Sequence, residues 1–386
     1  MSSAATRRPT PGGEEPSGPA GSSGETPPAA APAPTAAVAT ARRPVGAGRR
    51  AANGGELASR SERDRRTRRV VGGVLIVGVL ALVVASLLVG GYDITLANLF
   101  TDPGAWFMFT ISRIPRTLAL VLAATAMSVS GVIMQMITQN KFVEPTTAGT
   151  SQWAGLGILL MLIAFPAAPP MLRMVAAASA AFLGTMVFLA ALRRIAVTTS
   201  IVVPLVGIML GAVVGSVTTF LAGQFDLLQA MSAWRSGGFS SIVEGFYEPL
   251  WAVLVVTVLT WIAADRFTVA GLGRDVATNV GLDYDRTVVL GTALVALSTG
   301  ITAVVVGFIP FLGLIVPNLV SMILGDDIRA NLPWVALTGA AFLLACDLVG
   351  RTIVAPMEIP ASVVLGVVGA TVFIGLVLRQ RRVMSA

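Results

Sequence analysis

Val70-Val-Gly-Gly-Val-Leu-Ile-Val-Gly-Val-Leu-Ala-Leu-Val-Val-Ala-Ser-Leu-Leu-Val89 decides the fold class: 20 residues in a row with no charged side chain. A helix of about 20 apolar residues matches the roughly 30 Å hydrocarbon core of a bilayer. Directly before it stands Arg60-Ser-Glu-Arg-Asp-Arg-Arg-Thr-Arg-Arg69, and positive charge beside a first membrane helix favours a cytoplasmic N-terminus. Similar apolar runs follow, giving candidate spans at about 70–90, 116–137, 152–166, 171–192, 201–222, 247–264, 287–306, 308–324, 334–350 and 362–379. The predicted fold is all-α: a polytopic membrane protein with about ten transmembrane helices, its membrane domain covering residues 70–382.

Composition agrees. The 386 residues are 55% hydrophobic and only 12% charged, about half the charge of a soluble domain. The net charge of +7 is placed unevenly: residues 1–69 hold 12 arginines against six acidic side chains, and the remainder is nearly balanced. The basic character therefore belongs to the tail, where it suits anionic lipid headgroups, and no nucleic-acid partner is expected. The Pro/Ala/Gly-rich part of that tail cannot bury enough apolar surface to offset its ordering entropy, so 1–69 is expected to be a disordered cytoplasmic extension. One cysteine, Cys346, and no histidine leave no disulfide, no Cys/His zinc site and no histidine base. No metal site and no bound cofactor are expected.

Orientation follows from Lys and Arg in the short loops. With the N-terminus inside, the inner loops and tail contain Lys141, Arg193, Arg194, Arg266, Arg274, Arg286, Arg329, Arg379, Arg381 and Arg382; the outer loops contain Arg113, Arg116, Arg173, Arg235 and Arg351. The expected topology has both termini cytoplasmic. Gly207, Gly211 and Gly215, four apart, share one helix face and read as a close-packing stripe within the chain.

The loop 268–286 is too polar to span. Leu272, Val276, Ala277 and Val280 fall at helical spacing, and Gly281 is placed as a C-terminal cap. The spacing predicts a short amphipathic helix with an apolar face, open to two readings: a helix lying on the headgroups, or a docking element for a soluble partner.

Six segments, in order, then resemble one family. They are Arg113-Ile-Pro-Arg116-Thr-Leu; Ser130-Gly131-Val-Ile-Met-Gln135; Asn140-Lys-Phe-Val-Glu144-Pro145 with Gly149; Gly271-Leu-Gly-Arg-Asp-Val-Ala-Thr-Asn-Val-Gly281-Leu282; Gly307-Phe-Ile-Pro-Phe-Leu-Gly313-Leu-Ile-Val-Pro317-Asn318; and Asp347-Leu-Val-Gly-Arg351 with Glu358-Ile-Pro360. Over about 70–382 the chain resembles the FecCD-type permeases of iron-siderophore and cobalamin ATP-binding-cassette importers. It departs where the family usually has Asn-Pro-Leu (here Asn140-Lys141-Phe142), His (here Asn318) and Arg (here Ser321). The form Val-Pro-Asn-Leu-Val-Ser-Met-Ile-Leu-Gly-Asp-Asp is similar to permeases for catecholate-type siderophores such as petrobactin.

The resemblance implies a cobalamin-permease-like helical fold and a transporter subunit, not an enzyme. It implies that Gly271, Leu272, Gly273, Arg274, Asp275, Val276, Ala277, Val280 and Gly281 form the coupling region, which enters a cleft of a cytoplasmic ATP-hydrolysing subunit. It implies that Arg113, Arg116 and Arg351 are basic spots meeting acidic residues of an extracytoplasmic substrate-binding protein, though Asp347 and Arg351 also read as a helix-end ion pair. It implies a cytoplasmic gate at Asn140, Phe142, Thr199 and Ser200, residue types that also read as helix caps. Further implied partners are a second permease chain, identical or related, and a ferric siderophore, with cobalamin or haem as the alternative cargo.

Absences narrow the mechanism. No Gly-x-x-x-x-Gly-Lys-Ser/Thr phosphate loop occurs in the sequence, so ATP would be used by a partner ATPase. The spans hold few ionisable groups besides Asp347 and Arg351, whereas a proton-coupled carrier usually lines its path with them. A secondary transporter and a membrane enzyme are the rivals; the docking helix argues against the first, the lack of clustered catalytic groups against the second.

Overall fold

Helix α3 (Ile114–Ile137) is the axis of the bundle, buried along almost its whole length. Its composition explains why: Ala119, Ala123, Ala124, Ala126, Ser128, Ser130 and Gly131 present little side chain, so neighbouring backbones come close and gain dispersion contact in a setting where lipid offers no hydrophobic drive. A Cβ on Gly131 would lie 1.9 Å from the carbonyl oxygen of Gly313, and one on Gly339 would lie 2.2 Å from Ser128 Oγ. The computed structural model describes residues 70–91, 94–95, 97–195 and 201–384. The tail 1–69, with its expected disorder, and the gate candidates Thr199 and Ser200 lie outside the described residues.

Around this axis run α1 (Val70–Leu88), α2 (Pro103–Met108), α4 (Thr150–Ala164), α5 (Pro170–Arg194), α6 (Val202–Gln224), α7 (Leu228–Ser236), α8 (Ala252–Ile262), α9 (Ala264–Ala270), α10 (Arg274–Asn279), α11 (Tyr284–Val306), α12 (Leu312–Leu324), α13 (Ile328–Thr352) and α14 (Ala361–Met384). No strand occurs among the described residues. Among the described residues, six helices are long and apolar enough to cross a membrane, seven if the pair 248–262 and 264–270, bent by 59°, is one span. Three further helices, Thr150–Ala164, Leu312–Leu324 and Ala361–Gly375, are apolar but shorter than that length, so six or seven helices meet it against about ten expected.

Three features depart from the expected spans. A five-residue π-turn, Phe109–Arg113, joins α2 to α3. Helix α7 is a short extra element after α6. The span expected from residue 308 is helical only from Leu312, because Pro310 has no N–H to donate and Phe311 takes a left-handed φ of 62°.

Polar contacts mark two ends of the bundle. At one end, Arg193 meets Asp285 at 3.1 Å, Arg329 meets Asp265 at 2.5 Å and Lys141 meets Asp326 at 3.1 Å. These pairs gather the C-termini of α3, α5 and α12 and the N-termini of α11 and α13. At the other end, Arg116 and Arg351 join the C-termini of α1 and α13 to the N-terminus of α3 and the loop before α14. Helix α1 therefore starts, and α14 finishes, at the first end, where Phe142 stacks edge-on against Phe373 with centroids 5.8 Å apart.

Candidate functional site

The loop 268–286 breaks into α9, a turn and α10, shorter than the single helix expected over 272–280. Gly273, with φ 105°, forces the turn, and Gly271 lets the chain pass 2.9 Å from Met136 Sδ as measured from a built Cβ. At its far end α10 closes as predicted. Gly281 takes φ 83°, its N–H donates to Thr278 O at 3.0 Å, and Leu282 N–H donates to Ala277 O at 2.9 Å, the paired bonds of a Schellman cap. Leu272, Val276 and Val280 are 64%, 45% and 69% exposed, forming an apolar stripe, whereas Ala277 turns inward and is fully buried. Asp275 lies in the first turn of α10, where a carboxylate suits the helix dipole. Arg274 is held back by Asp285 at 2.7 Å and lies over the Tyr284 ring at 5.9 Å.

The three arginines expected as exposed basic spots are buried instead. Arg116 binds Asp347 at 2.8 Å and Glu358 at 2.9 Å, and Arg351 binds Asp347 at 2.7 Å. Arg351 also donates to Ser86 Oγ at 2.9 Å and to Val89 O at 2.7 Å, and Arg113 donates to Val89 O at 2.8 Å. A buried guanidinium needs its charge compensated, and Asp347, Glu358 and the freed carbonyls at the end of α1 meet the terminal nitrogens from within the chain, while Nε of Arg116 and of Arg351 has no hydrogen-bond partner among the described residues. Glu358, which also accepts from Ser240 at 2.5 Å, is the member nearest solvent. Burial would raise its carboxyl pKa, but the Ser240 hydroxyl and the Arg116 guanidinium outweigh that and hold it below the ordinary value. The Asp347–Arg351 helix pair is present as expected; its link to Arg116 crosses 231 residues of sequence and has no local signature.

At the opposite end, Asn140 is buried and its Oδ1 accepts from Phe142 N–H at 2.9 Å, a local turn. Asn140 also lines a cavity of ≈ 290 Å³ with Leu192, Arg193, Val203 and Tyr284.

The remaining motif segments converge on the start of α12. Glu144, fully buried, accepts from Phe311 N–H at 2.8 Å and from the Thr146 hydroxyl, and it also faces the N–H groups of Leu314 and Gly313. It fills the place of an N-cap side chain that Phe311 cannot supply. Burial pushes its carboxyl up to about 7 against the pull of these donors. Gln135 Nε2 donates to Gly313 O at 3.3 Å. The sequence reading placed Glu144 in a motif but missed this role; a carboxyl between Val143 and Pro145 in an apolar setting was the available signal.

A second cavity, ≈ 760 Å³, opens between α4, α6 and α7. Gly211 and Gly215 line it, and a Cβ on Gly215 would meet nothing within 4 Å. Gly207, by contrast, packs 2.2 Å from Thr147 O as measured from a built Cβ. The glycine stripe thus divides: its first member packs within the chain as expected, and its last faces the cavity.

Comparison with known proteins agrees with this architecture. The chain is 48% identical over 309 residues to the petrobactin import system permease protein FatD of Bacillus anthracis, covering 80% of this chain and 91% of that one. It is 41% identical to the petrobactin import system permease protein YclN of Bacillus subtilis, covering 80% and 98%. It is 32% identical to the vitamin B12 import system permease protein BtuC of Shigella boydii, covering 78% and 93%. Among solved structures, a metal-chelate type ABC transporter in an inward-facing conformation superposes with a TM-score of 0.68 at 23% identity, covering 81% of this chain and 99% of that one. The profile of the FecCD transport family matches residues 76–379, so the chain belongs to that family.

Proposed function

We propose that the chain is the membrane-spanning permease subunit of an ATP-binding-cassette importer that carries a ferric siderophore, of the catecholate type to which petrobactin belongs, into the cytoplasm. The observation that carries the reading is the capped α10 with its bare Leu272–Val276–Val280 stripe. Three large apolar side chains in the open, one on α10 and one just beyond each of its ends, are costly unless a partner covers them. The partner proposed is a separate ATP-hydrolysing subunit. Its closure would push on α10, and through the α9 break and the Arg274–Asp285–Arg193 contacts move α8, α11 and α5. On this reading α10 would lie on the cytoplasmic side, and the start of α1 and the end of α14 would share that side, in keeping with the Lys/Arg bias.

A second permease chain, identical or related, would complete the path, and Asn140, Phe142, Thr199 and Ser200 would close its inner end. An extracytoplasmic binding protein would meet the opposite end, where Glu358, rather than a free guanidinium, is the group offered to solvent. The relatives' names support petrobactin over cobalamin as cargo, the identity falling from 48% to 32% between the two kinds of permease.

The test is uptake of radio-iron as ferric petrobactin in cells lacking and regaining this chain, with ATP depletion and with a protonophore that leaves ATP high. Restored, ATP-dependent, protonophore-resistant uptake is the expected result. Protonophore-sensitive uptake would overturn the energy coupling, and uptake of cobalamin instead would overturn the cargo.

A further inference from the structure

We infer that Arg235 makes the cavity between α4, α6 and α7 selective for net-negative cargo, so that this chain passes anionic ferric complexes by charge as well as by size. The inference rests on the importer reading above and names a residue that reading does not need.

The cavity, ≈ 760 Å³, falls within the usual range of ligand sites. Its polar lining includes Ser151, Gln152, Ser216, Thr219 and Arg235, and among the described residues Arg235 is the only ionisable one in it. Arg235 is exposed and has no ion-pair or hydrogen-bond partner among the described residues. Arg116 and Arg351, by contrast, are answered by carboxylates, and Arg113 by a carbonyl. A cation that faces a cavity without a counter-charge is a ready contact for an anion. Gln152 adds a second unanswered group: its Oε1 is buried with no hydrogen-bond partner among the described residues.

The backbone holds Arg235 in place. Its neighbour Trp234 donates from Nε1 to Ala303 O at 2.6 Å, and its ring occupies the space that a Cβ on Gly155 would take, 2.7 Å away. Its other neighbour, Ser236, accepts on its carbonyl from the Ser362 hydroxyl. Arg235 is therefore a cation on an anchored helix, facing a cavity without a counter-charge. Low-dielectric walls strengthen and focus such a field. Each deprotonated catecholate carries two negative charges, so two or more outweigh the three of ferric iron. A ferric catecholate complex meets an attractive potential here, and a cationic complex a repulsive one.

The experiment uses the full chain with its importer partners in cells, matched for membrane level, and follows the maximal rate of radio-iron uptake as ferric petrobactin. Arg235→Lys should keep the parent rate within about twofold, Arg235→Gln should lower it on the order of five- to tenfold, and Arg235→Glu should lower it further. Ranking by charge is a readout that a merely structural role would not give. Equal rates for Arg235→Glu and parent, or an Arg235→Lys as slow as Arg235→Gln, would overturn the role of charge while leaving the importer reading intact. A parent chain that moves no ferric siderophore would overturn both.

Discussion

Replacing Asp347 by Asn removes one charge from the buried cluster and little else. The parent group holds three guanidinium groups, Arg113, Arg116 and Arg351, against two carboxylates, Asp347 and Glu358. Asp347 lies 2.8 Å from Arg116 and 2.7 Å from Arg351, and its side chain and that of Arg351 are almost wholly buried. Asn is the same size and still accepts one bond, so packing is kept. Arg351 would retain Ser86 and Val89 as acceptors, but no carboxylate. Breaking a buried pair by removing one partner costs about 3–5 kcal/mol, because the other charge stays buried. For a chain of this size that is a fall of about 6–10 °C in unfolding temperature, at roughly 2 °C per kcal/mol. The assay is thermal unfolding of the purified permease in detergent, followed by tryptophan fluorescence. The triple replacement Arg116→Met, Asp347→Leu, Arg351→Met removes cost and gain together and should be much closer to the parent. An Asp347→Asn protein within about 1 kcal/mol of the parent would refute the charge accounting, since two answered guanidinium groups would then not depend on their carboxylate.

Three further outcomes follow from the same contacts. Leu272→Asp with Val276→Asp should leave the permease inserted but cut ATP-driven uptake at least tenfold; normal uptake would sink the coupling role of α10. Gly131→Ala places a Cβ 1.9 Å from Gly313 O and should lose at least about 1–3 kcal/mol by overpacking, whereas Gly78→Ala, with nothing within 4 Å, should be silent; equal unfolding temperatures for the two would contradict the α3–α12 contact. Glu144 titrates at about 7 when folded against an ordinary 4.5, so its contribution to stability is full below about pH 4.5 and is lost as pH rises through 7. Glu144→Gln should flatten that part of the pH–stability profile, and an unchanged slope between pH 5 and 7 would place the titration elsewhere.

What the sequence made legible was local. Twenty apolar residues from Val70 imply a span without reference to anything distant, and α1 occupies Val70–Leu88. The spacing of Leu272, Val276 and Val280 before a glycine is contained within three turns, and the stripe and the cap both appear. The misread residues are those whose partners lie far along the chain. Arg113, Arg116 and Arg351 look like free cations in short loops, because nothing near them in sequence shows that Asp347 and the end of α1 come to meet them. Glu144 looks like loop polarity, because its donors lie on residues 311–314. Helix α7 was missed for a different reason: Leu228–Ser236 is too short and too mixed in polarity to register as a span.

Three of the departures from the family pattern show how distant residues can be read together once the fold is known. Lys141, Asn318 and Ser321 stand where Pro, His and Arg are usual, and as separate changes they have no common sense. In the structure they form one contact set: Asn318 Nδ2 donates to Lys141 O at 2.7 Å, Lys141 binds Asp326 at 3.1 Å, and the Ser321 hydroxyl donates to the same Asp326. Ser321 and Lys141 together hold the Asp326 carboxyl below its ordinary range, overcoming a smaller desolvation that opposes them. An Arg at 321 could reach Asp326 from its own helix; with Ser there, the cation is supplied from the loop after α3 instead. The loop carrying Asn140 and Phe142 is thereby tied to the α12–α13 turn by side chains rather than stiffened by a proline. An exposed pair of this kind contributes only about 0–1 kcal/mol, so the tie is a weak one.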